Sequence, residues 1–242
     1  TVTGRVLQVM PNEEIVYFGD TARVPYGSTG KDTITRFSCQ DVRFLLSKNV
    51  KAVIVACNTA SSNSLEYLQE KFPIPVFGTV IPGAVEAARQ TKNKRVGIIA
   101  TAATVRSGAY EKEIKNADSS IEVFSKACPL FVPLAEEGWS NDEITYLTAK
   151  KYLEPLLAEG VDTVILGCTH YPLLKECIQK VVGENVTLID PAYETAVRVD
   201  DYLNRNAMTR TVDKKPEYKF FVSDTTDTFD RICSEALKRK FS

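Results

Sequence analysis

The sequence predicts an α/β protein with two pseudo-symmetric α/β lobes, each a mainly parallel sheet flanked by helices, and a functional site in the cleft between them. Short β-branched runs alternate with longer segments of helical periodicity along the 242 residues, as in parallel sheets that helices cover on both faces. Two of these runs align without a gap, since residues 50–57 read VKAVIVAC and residues 161–168 read VDTVILGC. This repeat indicates an internal duplication, with one copy in each lobe.

Eight segments are predicted to be strands because they are short, rich in aliphatic and aromatic residues, and bounded by polar or turn-forming residues. In chain order they cover residues 14–18, 52–56, 74–77, 95–100, 121–125, 163–166, 186–189 and 218–222.

Helices are predicted where apolar residues repeat at helical spacing. One such stripe runs from Ile34 to Leu45, and the residues before Met10 resemble the tail of another helix. The other predicted helices cover residues 64–71, 83–90, 105–115, 144–158, 173–181, 194–204 and 228–238.

The lobe boundaries are predicted at turns rich in proline and glycine, one near residue 80 and one near residue 190. The first lobe is therefore expected to comprise residues 1–80 plus 190–242 and to carry Cys57. The second lobe is expected to comprise residues 81–189 and to carry Cys168.

The composition excludes several classes of function. Lys and Arg number 30 against 31 Asp and Glu, which leaves no charge excess to attract nucleic acid or an anionic membrane. The chain is 44% hydrophobic and 25% charged, and no apolar run approaches the roughly 18 residues of a membrane span. We therefore expect a cytoplasmic protein that binds a small molecule, with no nucleic acid and no membrane among its partners.

The six cysteines are expected to be free thiols, because no signal peptide or CxxC pair is visible and a chain of this length does not need disulfides to fold. A cysteine in an apolar context is ordinarily a small buried hydrophobe. That interpretation is retained for four of the six, namely Cys39, Cys128, Cys177 and Cys233.

Cys57 and Cys168 differ from the other cysteines in their shared context. Each follows an aliphatic run and precedes small polar residues at a predicted helix start. Both thiols are thus expected at the carboxyl ends of parallel strands, where α/β sheets bind ligands. The N–H groups of the following helix are expected to lower the pKa of each thiol. The pair predicts two reactive thiols that face one cleft.

His170, the only histidine, lies two residues after Cys168. Histidine can hold or supply a proton near neutral pH, although a lone histidine is often purely structural. Cys57, Cys168 and His170 could alternatively bind zinc with one coordination position left open. We expect a site without a metal ion.

The polar residues after each thiol allow two interpretations. Asn58, Thr59 and Thr169 are types that cap helices, and together with free N–H groups they can also bind a carboxylate. Both roles are compatible, because a bound anion can itself cap a helix. The loop that begins at Asp20 is expected at the same end of the sheet, as a turn or as part of the site.

Two thiols from opposite lobes suit the removal of a proton from one face of a carbon acid and the delivery of a proton to the other face. Inversion of a stereocentre by this route needs an acid and a base that exchange roles in the reverse direction. Two residues of the same type satisfy that symmetry.

Four motifs together resemble the glutamate racemases of the aspartate/glutamate racemase superfamily, and the resemblance extends over essentially the whole chain. The motifs are ACNTAS at 56–61, GCTHYPLL at 167–174, GDTAR with PYG within 19–27, and CPLFVPLAEEG at 128–138. The resemblance implies a cofactor-independent isomerase that interconverts L- and D-glutamate and supplies D-glutamate for bacterial peptidoglycan, and hence for cell wall biogenesis and cell shape. It also implies a cytoplasmic homodimer.

The resemblance assigns roles to individual residues. It implies that Cys57 and Cys168 are the two proton donors and acceptors, that Glu136 and His170 assist the second cysteine, and that Asp20 is an acidic residue near the site. The positions implied to contact the substrate are Tyr26, Gly27, Asn58, Thr59, Thr169 and His170.

One element of the family pattern, a strand that ends in an Asp-Ser-Gly segment, does not occur in the sequence. In the family its aspartate assists the first cysteine and its serine contacts glutamate, and we expect the segment to precede Thr1 in the complete protein. Two alternatives stay open: a racemase of another acidic amino acid, such as aspartate, and a non-catalytic amino-acid-binding relative if the segment is truly absent.

Overall fold

Parallel strands separated by helices organise the structure, a computed structural model that describes residues 2–225. The strands are β1 Ile15–Gly19, β2 Val53–Val55, β3 Val76–Gly78, β4 Arg95–Ala100, β5 Glu122–Ala127, β6 Thr163–Gly167, β7 Thr187–Ile189 and β8 Tyr218–Val222. The helices are α1 Val2–Val9, α2 Lys31–Leu46, α3 Asn58–Lys71, α4 Val80–Gln90, α5 Ala102–Ser107, α6 Ala109–Ala117, α7 Phe131–Glu136, α8 Glu143–Ala158, α9 Lys175–Val182 and α10 Pro191–Arg205. The predicted α/β class with parallel sheets is confirmed.

A four-stranded parallel sheet with the order β5-β4-β6-β7 lies in the middle of the sequence. Ala100 pairs with Gly167 in this sheet, so the residues that follow β4 and β6 emerge side by side at one edge. The other strands form two parallel pairs, β1 with β8 and β2 with β3. Val55 pairs with Gly78, which places Cys57 and Thr79 close together just beyond the carboxyl ends of β2 and β3.

Both faces of the four-stranded sheet are buried, which explains its uninterrupted apolar strands. Ile99 and Leu166 pack into one hydrophobic cluster with residues of α7, α8 and α9. Ile98, Ala100 and Ile165 alternate with them and pack into a second cluster with α4 and α6, as the two-residue period of a strand requires. Rigid strand ends therefore support the site.

All eight predicted strands are found, but two helix predictions are wrong in detail. The segment 105–115 is not one helix, because Gly108 adopts a left-handed conformation at φ +65° and separates α5 from α6. The helix predicted over 64–71 begins at Asn58, directly after Cys57. The predicted helix 228–238 and Cys233 lie outside the described residues, and the division into lobes stays a prediction.

None of the helices within residues 2–225 combines the length and apolar character needed to cross a membrane.

Candidate active site

Cys57 occupies the junction between β2 and α3, where it is the residue that precedes the first turn of the helix. Part of the residue reaches solvent, and the rest packs against a hydrophobic cluster that includes Ile34 and Ala60. Burial raises the pKa of Cys57, and the proximity of Cys168 adds to this, while the N–H groups of Ala60 and Thr59 act in the opposite direction. The expectation of a lowered pKa is therefore wrong for Cys57, because desolvation of the thiolate outweighs the helix N-terminus.

Cys168 follows β6 directly and is buried. The chain after it first forms a 3₁₀ turn over Tyr171–Leu174, and the helix predicted over residues 173–181 begins at Lys175. Asn58, which directly follows Cys57, lines the same cavity as Cys168, so the structure brings the two repeated motifs together although 111 positions separate the cysteines in the sequence.

His170 lies between a thiol and a carboxylate. Its Nδ1 is 3.8 Å from Cys168 Sγ, and its Nε2 is 3.1 Å from Glu136 Oε1 at the end of α7. Burial opposes protonation of the ring, but the bonds to Cys168 and Glu136 outweigh it and raise the pKa of His170 to about 9. The neighbouring Glu137 is exposed, so Glu136 is the residue of this acidic pair that faces the site.

Asn58 is buried, and protein hydroxyls hold its side-chain oxygen. Thr79 Oγ1 donates to Asn58 Oδ1 at 3.0 Å, and the Tyr110 hydroxyl donates to the same atom at 2.5 Å. Both lone pairs of the carboxamide oxygen are thus occupied, which leaves the amide nitrogen as the group able to bind a ligand. Because this nitrogen is a hydrogen-bond donor, it suits an anionic ligand.

Thr59 joins the start of α3 to the end of β4. Its hydroxyl lies 2.9 Å from Thr101 Oγ1, and Thr104 Oγ1 donates to it at 3.3 Å. Thr101 also caps α5 by accepting from the Thr104 N–H. The sequence prediction missed this pair, although a Thr-x-x-Thr pattern directly after a strand is a recognisable cap signal.

Tyr26 and Gly27, also predicted to contact a ligand, lie in a short 3₁₀ turn packed against Thr101. A Cβ atom on Gly27 would lie 2.9 Å from Thr101 Cβ, so only glycine permits this approach. Tyr26 is buried, and its hydroxyl donates to Asp20.

Asp20 is held in a hydrogen-bond network at the start of this loop. Its Oδ1 accepts from Arg23 Nε at 2.6 Å and from Ser223 Oγ at 3.1 Å. Arg23 in turn lies 2.7 Å from Asp41 of α2. These bonds anchor the loop that carries Tyr26, and a direct role of Asp20 in chemistry stays a prediction.

A narrow cavity of about 10 Å³ opens beside the second thiol, which is about the room needed for one water molecule. It is lined by Val2, Asn58, Thr79, Leu166, Cys168, Thr169, Pro172, Asp190, Pro191 and Ala192. Residues from both cysteine motifs therefore line one space, and Thr169 takes its place there beside Cys168.

The sequence matches a known family of proteins over most of its length. Residues 5–199 match the family model described as Asp/Glu/Hydantoin racemase. The chain belongs to this racemase family.

Relatives of the racemase chain align with it over nearly its whole length. The glutamate racemase of Geobacter metallireducens is 47% identical over 240 residues, which cover 99% of this chain and 89% of the relative. The crystal structure of the glutamate racemase isoform RacE1 from Bacillus anthracis superposes with a TM-score of 0.94 at 37% identity, over 100% of this chain and 90% of the other. The glutamate racemase from Francisella tularensis, solved in complex with D-glutamate, gives a TM-score of 0.93 at 37% identity with the same coverages.

Within residues 2–225, no three His, Cys, Asp or Glu side chains of this racemase converge closely enough to hold a metal ion. A thiol pair flanked by an imidazole and hydroxyl donors is suited to proton transfer on a carboxylate-bearing ligand.

Proposed function

We propose that this chain racemises glutamate by a two-thiol mechanism, with Cys57 and Cys168 as the acid–base pair. One cysteine, as thiolate, removes the α-proton and becomes a thiol. The other cysteine, as thiol, gives its proton to the opposite face of the carbanion and becomes a thiolate. The free enzyme then exists in two forms that differ in which cysteine is ionised.

The observation that carries this proposal is the cavity that residues of both cysteine motifs line together, since Asn58, which directly follows Cys57, borders the same space as Cys168 and Thr169. A negative charge on Cys168 would also raise the pKa of Cys57, so the pair favours one negative charge shared between two sites over two charges at once. A racemase that works in both directions needs such a state, in which one thiol is the base and the other is the acid.

His170 and Glu136 supply the charge balance on the Cys168 side. A protonated imidazole whose Nδ1 lies 3.8 Å from Cys168 Sγ stabilises a thiolate there, and the Glu136 carboxylate 3.1 Å from Nε2 keeps the ring protonated and oriented. When Cys168 acts as the acid, the same imidazolium stabilises the charge that develops on its sulphur.

The ligand needs donors for its carboxylate, because the α-proton of an amino acid is very weakly acidic. Asn58 and Thr169 line the cavity, and the Asn58 oxygen is held by protein hydroxyls so that its amide nitrogen can donate. Thr59 directly follows Asn58, with its own hydroxyl bonded to Thr101 and Thr104. In a site that excludes water, such donors stabilise the negative charge of the transition state more strongly than water does. Because the cavity has room for only about one water molecule, we infer that the two lobes open to admit the substrate and then close over it to complete this site.

Glutamate is the preferred substrate because relatives that are 40–47% identical over at least 96% of this chain are named glutamate racemases. An aspartate-specific enzyme is the nearest alternative, since it would use the same two thiols. D-glutamate made in this way would enter bacterial peptidoglycan. A cytoplasmic homodimer is the expected form, and light scattering after gel filtration tests the dimer.

The test compares the racemisation rates of the parent protein and of the Cys57→Ser and Cys168→Ser variants. Circular dichroism monitors the reaction, and the substrates are L-glutamate, D-glutamate and the two aspartate enantiomers. Each variant should lose about 10²- to 10⁴-fold in rate, while Cys177→Ala, a change in α9, should keep the parent rate. In heavy water the product should carry deuterium at Cα. Parent-like racemisation by either serine variant would exclude the mechanism, and a parent protein that binds glutamate without exchanging the α-proton would be a non-catalytic relative.

A further inference from the structure

Tyr110, at the start of α6, touches residues next to both thiols. Its hydroxyl donates to Oδ1 of Asn58 at 2.5 Å, and Asn58 directly follows Cys57. Its ring lies against Gly167, which directly precedes Cys168, since a Cβ on Gly167 would be 3.4 Å from Tyr110 Cε2. Tyr110 is 2% exposed, so it spans the interior between the two motifs.

The ring is fixed from two sides. A Cβ on Gly83 of α4 would lie 3.4 Å from Cε1 of Tyr110, so two glycines flank the aromatic ring. At Gly167 a side chain is also excluded by the sheet, because its Cβ would lie 2.9 Å from Ala100 Cβ and from the Ile99 carbonyl oxygen. The hydroxyl of a ring held in this way has little freedom to leave Asn58.

The hydroxyl determines which end of the Asn58 carboxamide faces the cavity. A carboxamide can rotate by a half turn with almost no change in shape, which exchanges a donor for an acceptor. In the structure the oxygen accepts from the hydroxyl groups of Tyr110 and Thr79, and the phenol of Tyr110, which is a better donor than acceptor, favours this orientation over the flipped one. An anion in the cavity then meets N–H donors and not a repulsive oxygen.

We propose that Tyr110 is a positioning residue. Its hydroxyl holds the Asn58 carboxamide so that the N–H groups can donate to a bound anion, and its ring packs against Gly167, which directly precedes Cys168. The proposal rests on the proposed function for the identity of the anion, which is the carboxylate of glutamate. Tyr110 does not touch the reacting atoms and acts through Asn58.

Tyr110→Phe tests the proposal, because it keeps the ring and removes the hydroxyl. The KM for both glutamate enantiomers and the Kd for D-glutamate, measured by calorimetry, should rise about 10-fold, the effect of losing one hydrogen bond of positioning. Thr79→Val, which removes the other donor, should act in the same direction. Tyr152→Phe is the control, since its hydroxyl accepts only a 3.4 Å bond from the Leu130 N–H, and it should leave KM and Kd unchanged.

A merely structural role gives a different result, in which kcat falls with the fraction of folded protein while KM and Kd stay at parent values. The double variant Tyr110→Phe/Asn58→Ala distinguishes the positioning role from the structural role, since its Kd should equal that of Asn58→Ala alone. If the two substitutions instead weaken glutamate binding independently, so that their effects on Kd multiply, the proposal is wrong. A parent-like Kd for Tyr110→Phe would also overturn it. A parent protein that does not racemise glutamate contradicts the proposed function and leaves the Kd comparison as the test of Tyr110.

Discussion

Glu136 Oε1 lies 3.1 Å from Nε2 of His170, while the other ring nitrogen of His170 faces Cys168. The imidazole therefore connects a carboxylate to one of the two thiols. Because His170 is the only histidine in the chain, its protonation can be followed without interference from other imidazoles.

Glu136→Gln should lower the pKa of His170 below its value of about 9, because the variant removes a carboxylate that raises it. The alkaline limb of the kcat/KM profile should then move to lower pH. The measurement is the pH titration of the single imidazole signal by NMR, together with the rate profile. Glu137→Gln, one residue along and exposed, is the matched control and should change neither. An unmoved imidazole titration in Glu136→Gln would show that the ion pair does not form.

His170 should make stability depend on pH in a defined direction. Its folded pKa of about 9 lies above the unfolded value of about 6.5, so the folded state binds the proton more tightly. The stabilisation is complete below about pH 6.5 and is lost as the pH rises through about 9. Urea unfolding across this range should show a decline in the parent protein that His170→Gln lacks. Identical pH curves for both proteins would refute the assignment.

Gly27→Ala should displace the turn that carries Tyr26, because the new methyl group would lie 2.9 Å from Thr101 Cβ. Overpacking of this kind costs about 1–3 kcal/mol, and the KM for glutamate should rise with it. Thermal unfolding and steady-state kinetics measure the two effects. Gly30→Ala provides the control, since nothing lies within 4 Å of its Cβ position and its φ of −75° suits alanine.

Thr101→Val should remove the hydroxyl that lies 2.9 Å from Thr59 Oγ1 and caps α5. Loss of a cap and a buried hydrogen bond costs about 1–2 kcal/mol of unfolding free energy, and glutamate binding should weaken as Thr59 loses its partner. Thr209→Val removes a surface hydroxyl bonded to Asn204 and should cost less than about 0.5 kcal/mol. Equal effects of both variants in urea unfolding would contradict a special role for Thr101.

The local features of the site were readable from the sequence. The apolar runs before Cys57 and Cys168 predicted strands, and the polar residues after them predicted a ligand-binding edge, because both signals depend on neighbours in the chain. The break at Gly108 was missed because helical periodicity continues across it. A helix start was predicted at the small polar residues after Cys57, but the helical segment was assigned only from residue 64, because small polar residues carry a weak helical signal.

The sequence by itself determined the positions of the strands, the repeat that relates the two cysteine motifs, and the motifs that the family shares. Only the tertiary structure decided which partners those residues have. Thr59 meets Thr101 across 42 positions and Asn58 meets Tyr110 across 52, and such contacts depend on how helices pack on the sheet. The pKa of Cys57 illustrates the same limit: sequence context predicted a decrease from the helix N-terminus, but burial by distant residues, which no local pattern records, raises it.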